Sequence, residues 1–156
     1  MKKESLQEQS PVESFFSIRV GTDEFAGKVK QIATGMELDM GDFNIRDFLL
    51  AFSGDALAGF VRMRKYSDCL ELSTLGVLRE YRKKGLGKKL VLALLDKFPG
   101  EKVFVTTVIP GFFLKCGFAK TENYPDSLKP KINFCHSFGF GEGEVHIMVQ
   151  STHGPG

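Results

Sequence analysis

The sequence predicts an α/β fold of the α+β kind: a single domain with one sheet layer and helices packed on it. Three observations carry this. A chain of 156 residues fits one domain and leaves little room for two. Segments with a two-residue apolar period alternate with segments that repeat every three to four residues. In the middle of the chain, three strand-like segments follow one another with only turns between them, which is a meander.

The bulk composition narrows the function classes. Hydrophobic residues are 42% and charged residues 26%, so the chain is neither disordered nor collagen-like. Lys and Arg number 21 against 19 Asp and Glu, a net charge of +2. That gives no broad basic field, and no nucleic-acid partner is expected. The longest apolar run, 90–95, is six residues, against about 20 for a bilayer span, so no membrane partner is expected. The opening M-K-K-E-S-L-Q-E-Q-S-P lacks the apolar run of a secretory signal. Three cysteines without paired spacing suit a reduced, cytoplasmic protein rather than a disulfide framework.

Residues 1–12 are expected to be a flexible leader, 13–150 the domain, and 151–156 a flexible tail. Glu13 to Val20 reads as the first strand. Thr22 is placed to cap a helix, with Asp23 and Glu24 in its first turn. Phe25, Val29, Ile32, Ala33 and Met36 then recur on one helical face. F-L-L-A-F and A-L-A-G-F-V-R-M-R flank Gly54-Asp55, a hairpin signal. After a turn at Ser67-Asp68, Cys69 to Val77 is a third strand. Alternation predicts that its Glu71, Ser73, Leu75 and Val77 share one face.

A basic, glycine-containing turn, Y-R-K-K-G-L-G-K-K, then opens a helix whose apolar stripe is Leu86, Leu90, Val91, Leu94, Leu95 and Phe98. Pro99-Gly100 stop it. Lys102 to Val108 reads as a strand, and Pro110 starts a short helix closed by Gly117. Residues 118–143 carry no clear period, and Glu144 to Gln150 reads as a closing strand.

Chemistry concentrates at the strand, basic turn and helix of residues 69–98. A helix start offers free backbone N–H groups and a partial positive charge. Gly85 and Gly87 let a ligand approach the backbone, and Arg82, Lys83, Lys84, Lys88 and Lys89 surround the same turn. The combination is an anion site suited to phosphate or pyrophosphate. There is no G-K-[ST] and no third glycine at the dinucleotide spacing, which excludes a P-loop and a Rossmann fingerprint. The competing structural reading is a solvated basic turn that merely starts a helix. Cys135-His136 and His146 lack metal-ligand spacing, so no metal is expected.

L-G-V-L-R-E-Y-R-K-K-G-L-G-K-K-L resembles the cofactor motif V-x-x-x-x-[RQ]-x-x-G-x-[GA] of the GNAT superfamily of acyl-CoA-dependent N-acetyltransferases, with Val77, Arg82, Gly85 and Gly87 at its positions. P-G-F-F-L-K-C-G-F at 110–118 is similar to the family's F-Y-x-K-x-G-F element. The resemblance covers roughly 13–150. It implies a mixed, mostly antiparallel central sheet flanked by helices, and acetyl-CoA as acyl donor. Leu75, Gly76 and Val77 would meet the pantetheine arm where two strands splay apart. Arg82, Lys83, Lys84, Gly85, Leu86, Gly87 and Lys88 would hold the pyrophosphate, with Phe113 also beside the cofactor.

The implied reaction is direct attack of a neutral amine on the acetyl thioester in a ternary complex. Glu71 is the candidate base through a water, and Tyr124 the candidate acid, because Phe113 stands where many members carry Tyr. A bland reading of Glu71 is an exposed strand residue at a sheet end. T-T-V-I-P-G-F-F-L-K-C-G-F is closer to single-domain amino-acid N-acetyltransferases similar to N-acetylglutamate synthase. That implies a small-molecule amine acceptor such as an amino acid, whose carboxylate would need Arg19, Arg62, Arg64, Lys129 or Lys131. Alternatives are a protein or peptide N-acetyltransferase, which needs an open groove near 21–46 and 120–143, and a non-catalytic acyl-CoA-binding module. A homodimer is a further expectation of the resemblance.

Overall fold

The computed structural model describes residues 16–151. The expected leader, residues 13–15 of the first predicted strand and residues 152–156 lie outside this range. Seven strands form one sheet: β1 (Phe16–Val20), β2 (Phe48–Ser53), β3 (Ala56–Lys65), β4 (Leu70–Val77), β5 (Lys102–Thr107), β6 (Ala119–Lys120) and β7 (His146–Ser151). Their order is β1-β2-β3-β4-β5-β7-β6. Every adjacent pair is antiparallel except β4 and β5. The four helices are α1 (Ala26–Gly35), α2 (Leu86–Leu95), α3 (Pro110–Leu114) and α4 (Lys129–Ser137). Among the described residues, no helix is long and apolar enough to cross a membrane.

The period-2 strands sort their side chains between two cores, one on each sheet face. Leu49, Ala51, Val61, Met63, Leu72, Val103 and Val105 meet Leu86, Leu90, Val91, Leu94 and Leu95 of α2. Each buried Leu, Val or Met among them contributes roughly 1.5–3 kcal/mol. Phe48, Leu50, Phe52 and Phe60 face the other way, onto Val29 and Ala33 of α1. Phe104 and Ile147 extend that second face to Leu128 and Ile132 at the start of α4.

The helical stripes predicted at 25–36 and 86–98 both face cores. The first helix begins later than its sequence signal. Thr22 makes no side-chain cap, and residues 23–25 form a 3-10 turn before α1. The Gly54-Asp55 turn closes the β2–β3 hairpin, with Gly54 at φ 60. The segment without a sequence period holds β6, a 3-10 turn and α4. No residue of α4 itself is buried, which is why no apolar period marks it.

Two irregularities position the site. β4 and β5 pair only at Leu70↔Val103 and Glu71↔Phe104, then part. On its other edge, β4 pairs Phe60↔Gly76 and Arg62↔Ser73, so Thr74 and Leu75 together oppose Val61. This is a bulge, with Thr74 in the left-handed region at φ 51.

Candidate active site

The bulge corrects one sequence expectation. Glu71, Ser73, Leu75 and Val77 do not share a face. The extra residue reverses the alternation, so Leu75 and Val77 join Leu72 against the α2 core. Gly76 instead faces the α1 side, where a Cβ would meet the Phe60 ring at 2.7 Å and Met36 Sδ at 3.0 Å. Glu71 and Ser73 lie before the bulge, on the face that α4 covers.

The turn before α2 is built as an anion cradle. Lys83 (φ 64) and Gly85 (φ 80) are both left-handed, which curls the backbone and turns its N–H groups to one side. The first bond of the helical ladder here is Lys89 N–H to Gly85 O, at 3.1 Å. The amides of Leu86, Gly87 and Lys88 therefore precede the ladder. Nothing lies within 4 Å of a Cβ built on Gly85, so space is open above it. Gly87 has a packing reason as well, because a Cβ there would meet Phe112 at 3.3 Å.

A hollow of about 540 Å³ holds Leu75, Gly76, Val77, Arg82, Lys83, Gly85, Leu86, Gly87 and Lys88 together. Of the predicted cofactor residues, Lys84 and Phe113 do not line it. Phe113 is buried in the α2 core, edge-on to Phe112 and Phe118, and touches the adjoining cavity. The Arg82 Nε donates to Val77 O at 2.8 Å, which ties the turn to the end of β4.

Where β4 and β5 part, a cavity of about 300 Å³ continues from that hollow, sharing Met36, Leu75 and Ile109 with it. Its polar end holds Asp39, Ser73, Thr74, Thr106 and Lys131, and Phe134, Cys135, Phe138 and Phe140 come from α4 and beyond. Lys131 Nζ donates to Ser73 Oγ at 3.0 Å and Glu71 Oε2 at 3.3 Å, and pairs with Asp39 Oδ2 at 3.5 Å. Tyr66 O–H donates to Glu71 Oε1 at 2.9 Å. Glu71 is 0% exposed, so the bland reading of a solvated strand end fails. It lies behind Lys131 and Ser73 rather than on the cavity wall.

Arginines fix the polar end from behind. Arg62, also 0% exposed, donates to Thr74 Oγ1 at 2.8 Å and to the carbonyls of Asp39 and Asp42 at 2.9 and 3.4 Å. Arg64 pairs with Asp39 at 2.7 Å and Asp42 at 2.8 Å. These contacts hold the 37–42 loop, whose Glu37 and Asp42 are left-handed. Burial alone would raise the Asp39 carboxyl. Lys131, the Gly41 amide, Arg64 and Arg62 outweigh it and keep Asp39 below the ordinary carboxylate range. Burial, then the Glu71 charge and hydrogen bond, push Tyr66 above its ordinary value, so its O–H stays a donor. Burial also raises the Cys135 thiol.

Tyr124 is not brought to this place. It packs with Phe104, Leu128 and Ile147 and lines a separate hollow beside Lys120 and His146. The sequence reading missed Tyr66, Asp39 and Thr106. Tyr66 had a usable signal, since it sits in the turn of a hairpin whose register folds it back toward Glu71. Thr106 is 8% exposed, and its hydroxyl has no hydrogen-bond partner among the described residues. The residue lines the cavity, and a buried hydroxyl without a partner is uncommon in a folded protein. No group of three or more His, Cys, Asp or Glu among the described residues could hold a metal ion.

A sequence model of the acetyltransferase (GNAT) family matches residues 16–118. The chain belongs to this family. A curated relative, an uncharacterized N-acetyltransferase from Chlorobaculum tepidum, is 36% identical over 83 residues, 51% of this chain and 54% of that protein. The match spans about half the length of that relative. Among solved structures, N-acetylglutamate synthase from Neisseria gonorrhoeae, complexed with coenzyme A and N-acetyl-glutamate, superposes with a TM-score of 0.71 at 19% identity, covering 89% of this chain and 35% of that one. Naa50 from Arabidopsis thaliana, in complex with a bisubstrate analogue, gives 0.59 at 20% identity, covering 88% and 99%. At these identities the likeness shows the GNAT fold: the seven-stranded, mostly antiparallel sheet flanked by helices.

Proposed function

We propose that this GNAT protein is an acetyl-CoA-dependent N-acetyltransferase acting on the primary amine of a small molecule. The cradle of left-handed Lys83 and Gly85 with the amides of residues 86–88 fits the pyrophosphate of coenzyme A. The unpaired edges of β4 and β5 fit a pantetheine arm, which carries amides that pair as a strand does. The donor supplies an acetyl group already activated as a thioester.

The observation that carries the small-molecule reading is the Lys131–Asp39 ion pair. Asp39 belongs to the 21–46 stretch and Lys131 to the 120–143 stretch, the two walls between which a peptide would lie. Joined at 3.5 Å, they clasp the cavity rather than leave a groove.

The chain's own residues then act as follows. The amine nitrogen bonds to the acetyl carbon as the carbon–sulfur bond breaks, giving an amide and a thiol. One amine proton leaves through a water to the Glu71 carboxylate, while the Lys131 ammonium, donating to Ser73 Oγ at 3.0 Å and Glu71 Oε2 at 3.3 Å, holds that end of the path in place. Tyr66 holds Glu71 in place from the other side. Thr106 O–H, buried and unpaired, donates to the departing sulfur until solvent protonates it.

The test is a free-thiol assay with acetyl-CoA and a panel of small amines and peptides, beside calorimetry with coenzyme A. Small-amine turnover, lowered at least about 10-fold in kcat by Glu71→Gln, supports the reading. Turnover of peptides alone overturns the small-molecule acceptor. Coenzyme A binding without turnover of anything makes the protein a binding module.

A further inference from the structure

We infer that the acceptor is a primary amine on a compact apolar body, with no carboxylate beside the amine; the inference rests on the cavity between β4 and β5 being the acceptor site of an acetyltransferase. An α-amino acid would bring a carboxylate within a few bonds of the reacting nitrogen, and that carboxylate would need a cation. The structure accounts for every candidate cation. Arg19 lies over the Phe52 ring at 4.1 Å, and Lys129 pairs with Asp126 at 3.0 Å; neither lines the cavity.

The remaining three cations are already matched. Arg64 pairs with Asp39 and Asp42 and Lys131 with Asp39 and Glu71, while the Arg62 guanidinium donates to Thr74 Oγ1 and to the backbone carbonyls of Asp39 and Asp42. Arg62 and Arg64 reach their partners at 2.7–3.4 Å behind the wall. Lys131 does line the cavity, but an ammonium has three donors, and Ser73, Glu71 and Asp39 stand within 3.0–3.5 Å of it. A substrate carboxylate brought to Lys131 would also lie against the Asp39 carboxylate, which shares the cavity wall. Like charges at that range repel, and the approach is disfavoured.

The rest of the wall, Glu37 and Thr107 apart, is apolar. Met36, Leu38 and Phe134 face the space. At its rim Ile109, Phe138 and Phe140 remain 54%, 45% and 37% exposed. An apolar substituent entering there would cover surface that water now meets. A volume of about 300 Å³, at the small end for ligand sites, limits that substituent to roughly one ring or a short chain.

The test compares three molecules of matched shape in the free-thiol assay: 2-phenylethylamine, L-phenylalanine and L-phenylalaninamide. The expected kcat/KM for 2-phenylethylamine exceeds that for L-phenylalanine at least 100-fold. The amide stays within about 10-fold of the amine, because it has the bulk without the charge. L-Glutamate does no better than L-phenylalanine. Two variants probe the charge matching. Asp39→Asn removes one negative charge, and Phe138→Lys places an unmatched cation at the rim, where Phe138 is 45% exposed, with a thermal melt to check that the variant folds. Each should shrink the amine-to-amino-acid ratio at least 10-fold. An amino acid used within 10-fold of its matched amine, or rejection of the amide along with the acid, overturns the inference and leaves the acetyltransferase reading standing. Turnover of an N-terminal peptide with 2-phenylethylamine idle does the same. Coenzyme A binding with no amine consumed overturns both.

Discussion

Gly85 offers a test in which strain and charge separate. Its φ of 80 lies in the left-handed region, and a Cβ there would touch nothing within 4 Å. Alanine, lysine and glutamate at this position therefore share one backbone penalty, about 1–2 kcal/mol. At this chain length that lowers the melting temperature by about 2–8 °C, equally in all three. They differ only in what they place over the cradle. A carboxylate about 5 Å from a phosphate charge is opposed by ~0.8 kcal/mol in bulk water and ~3 kcal/mol at an effective dielectric of 20. Two phosphate charges double this, so Gly85→Glu should weaken coenzyme A at least about 15-fold relative to Gly85→Ala. Gly85→Lys should bind at least as well as Gly85→Ala. Calorimetry at ~0.1 M and ~1 M salt adds a second check, because the gap must narrow as the screening length falls from about 10 to 3 Å. Equal affinities for the glutamate and lysine variants would refute the cradle.

Three further expectations follow from the geometry. Gly76→Ala drives a methyl into Phe60 and Met36 at 2.7–3.0 Å, so urea unfolding should show a loss of about 1–3 kcal/mol; an unchanged midpoint would mean that the packing there is looser. Thr106→Val keeps the shape and removes an unpaired buried hydroxyl. Its stability should stay level or rise by up to ~1 kcal/mol while turnover falls, and a marked loss of stability would show that the hydroxyl has a partner in the free protein. The depressed Asp39 carboxyl contributes stability that is present above the unfolded value of about 3.9 and lost as pH falls through the lower folded value. The unfolding free-energy gap between wild type and Asp39→Asn should be flat from pH 7 to 5 and shrink below about pH 4; a gap that widens on acidification contradicts the ion pair.

Strong local periods were legible in the sequence. The Leu86-to-Phe98 stripe and the Gly54-Asp55 turn announce α2 and the hairpin because burial and turn chemistry there are set by neighbours in sequence. The cradle was legible for the same reason, since one short turn makes it. What was hidden depends on distant contacts. α4 is held by its Lys131 ion pairs and by Leu128 and Ile132, so K-P-K-I-N-F-C-H-S shows no apolar rhythm. The bulge at Thr74 was invisible because a β-branched residue gives no local warning of a left-handed backbone. Glu71 could be nominated from its motif, but its burial under Lys131, 60 residues away in sequence, could not. Tyr124 lines a different hollow, and nothing near it in sequence fixes where its segment goes.

An open sheet ordinarily has two rims, and this one has a second pair inside, where β4 and β5 separate after Glu71 and Phe104. Main-chain groups bared in that cleft are what another strand seeks, so the sheet carries a seam open to pairing through its middle. A molecule that fills the seam works as a temporary strand. Loading should slow hydrogen exchange on both sides of the cleft.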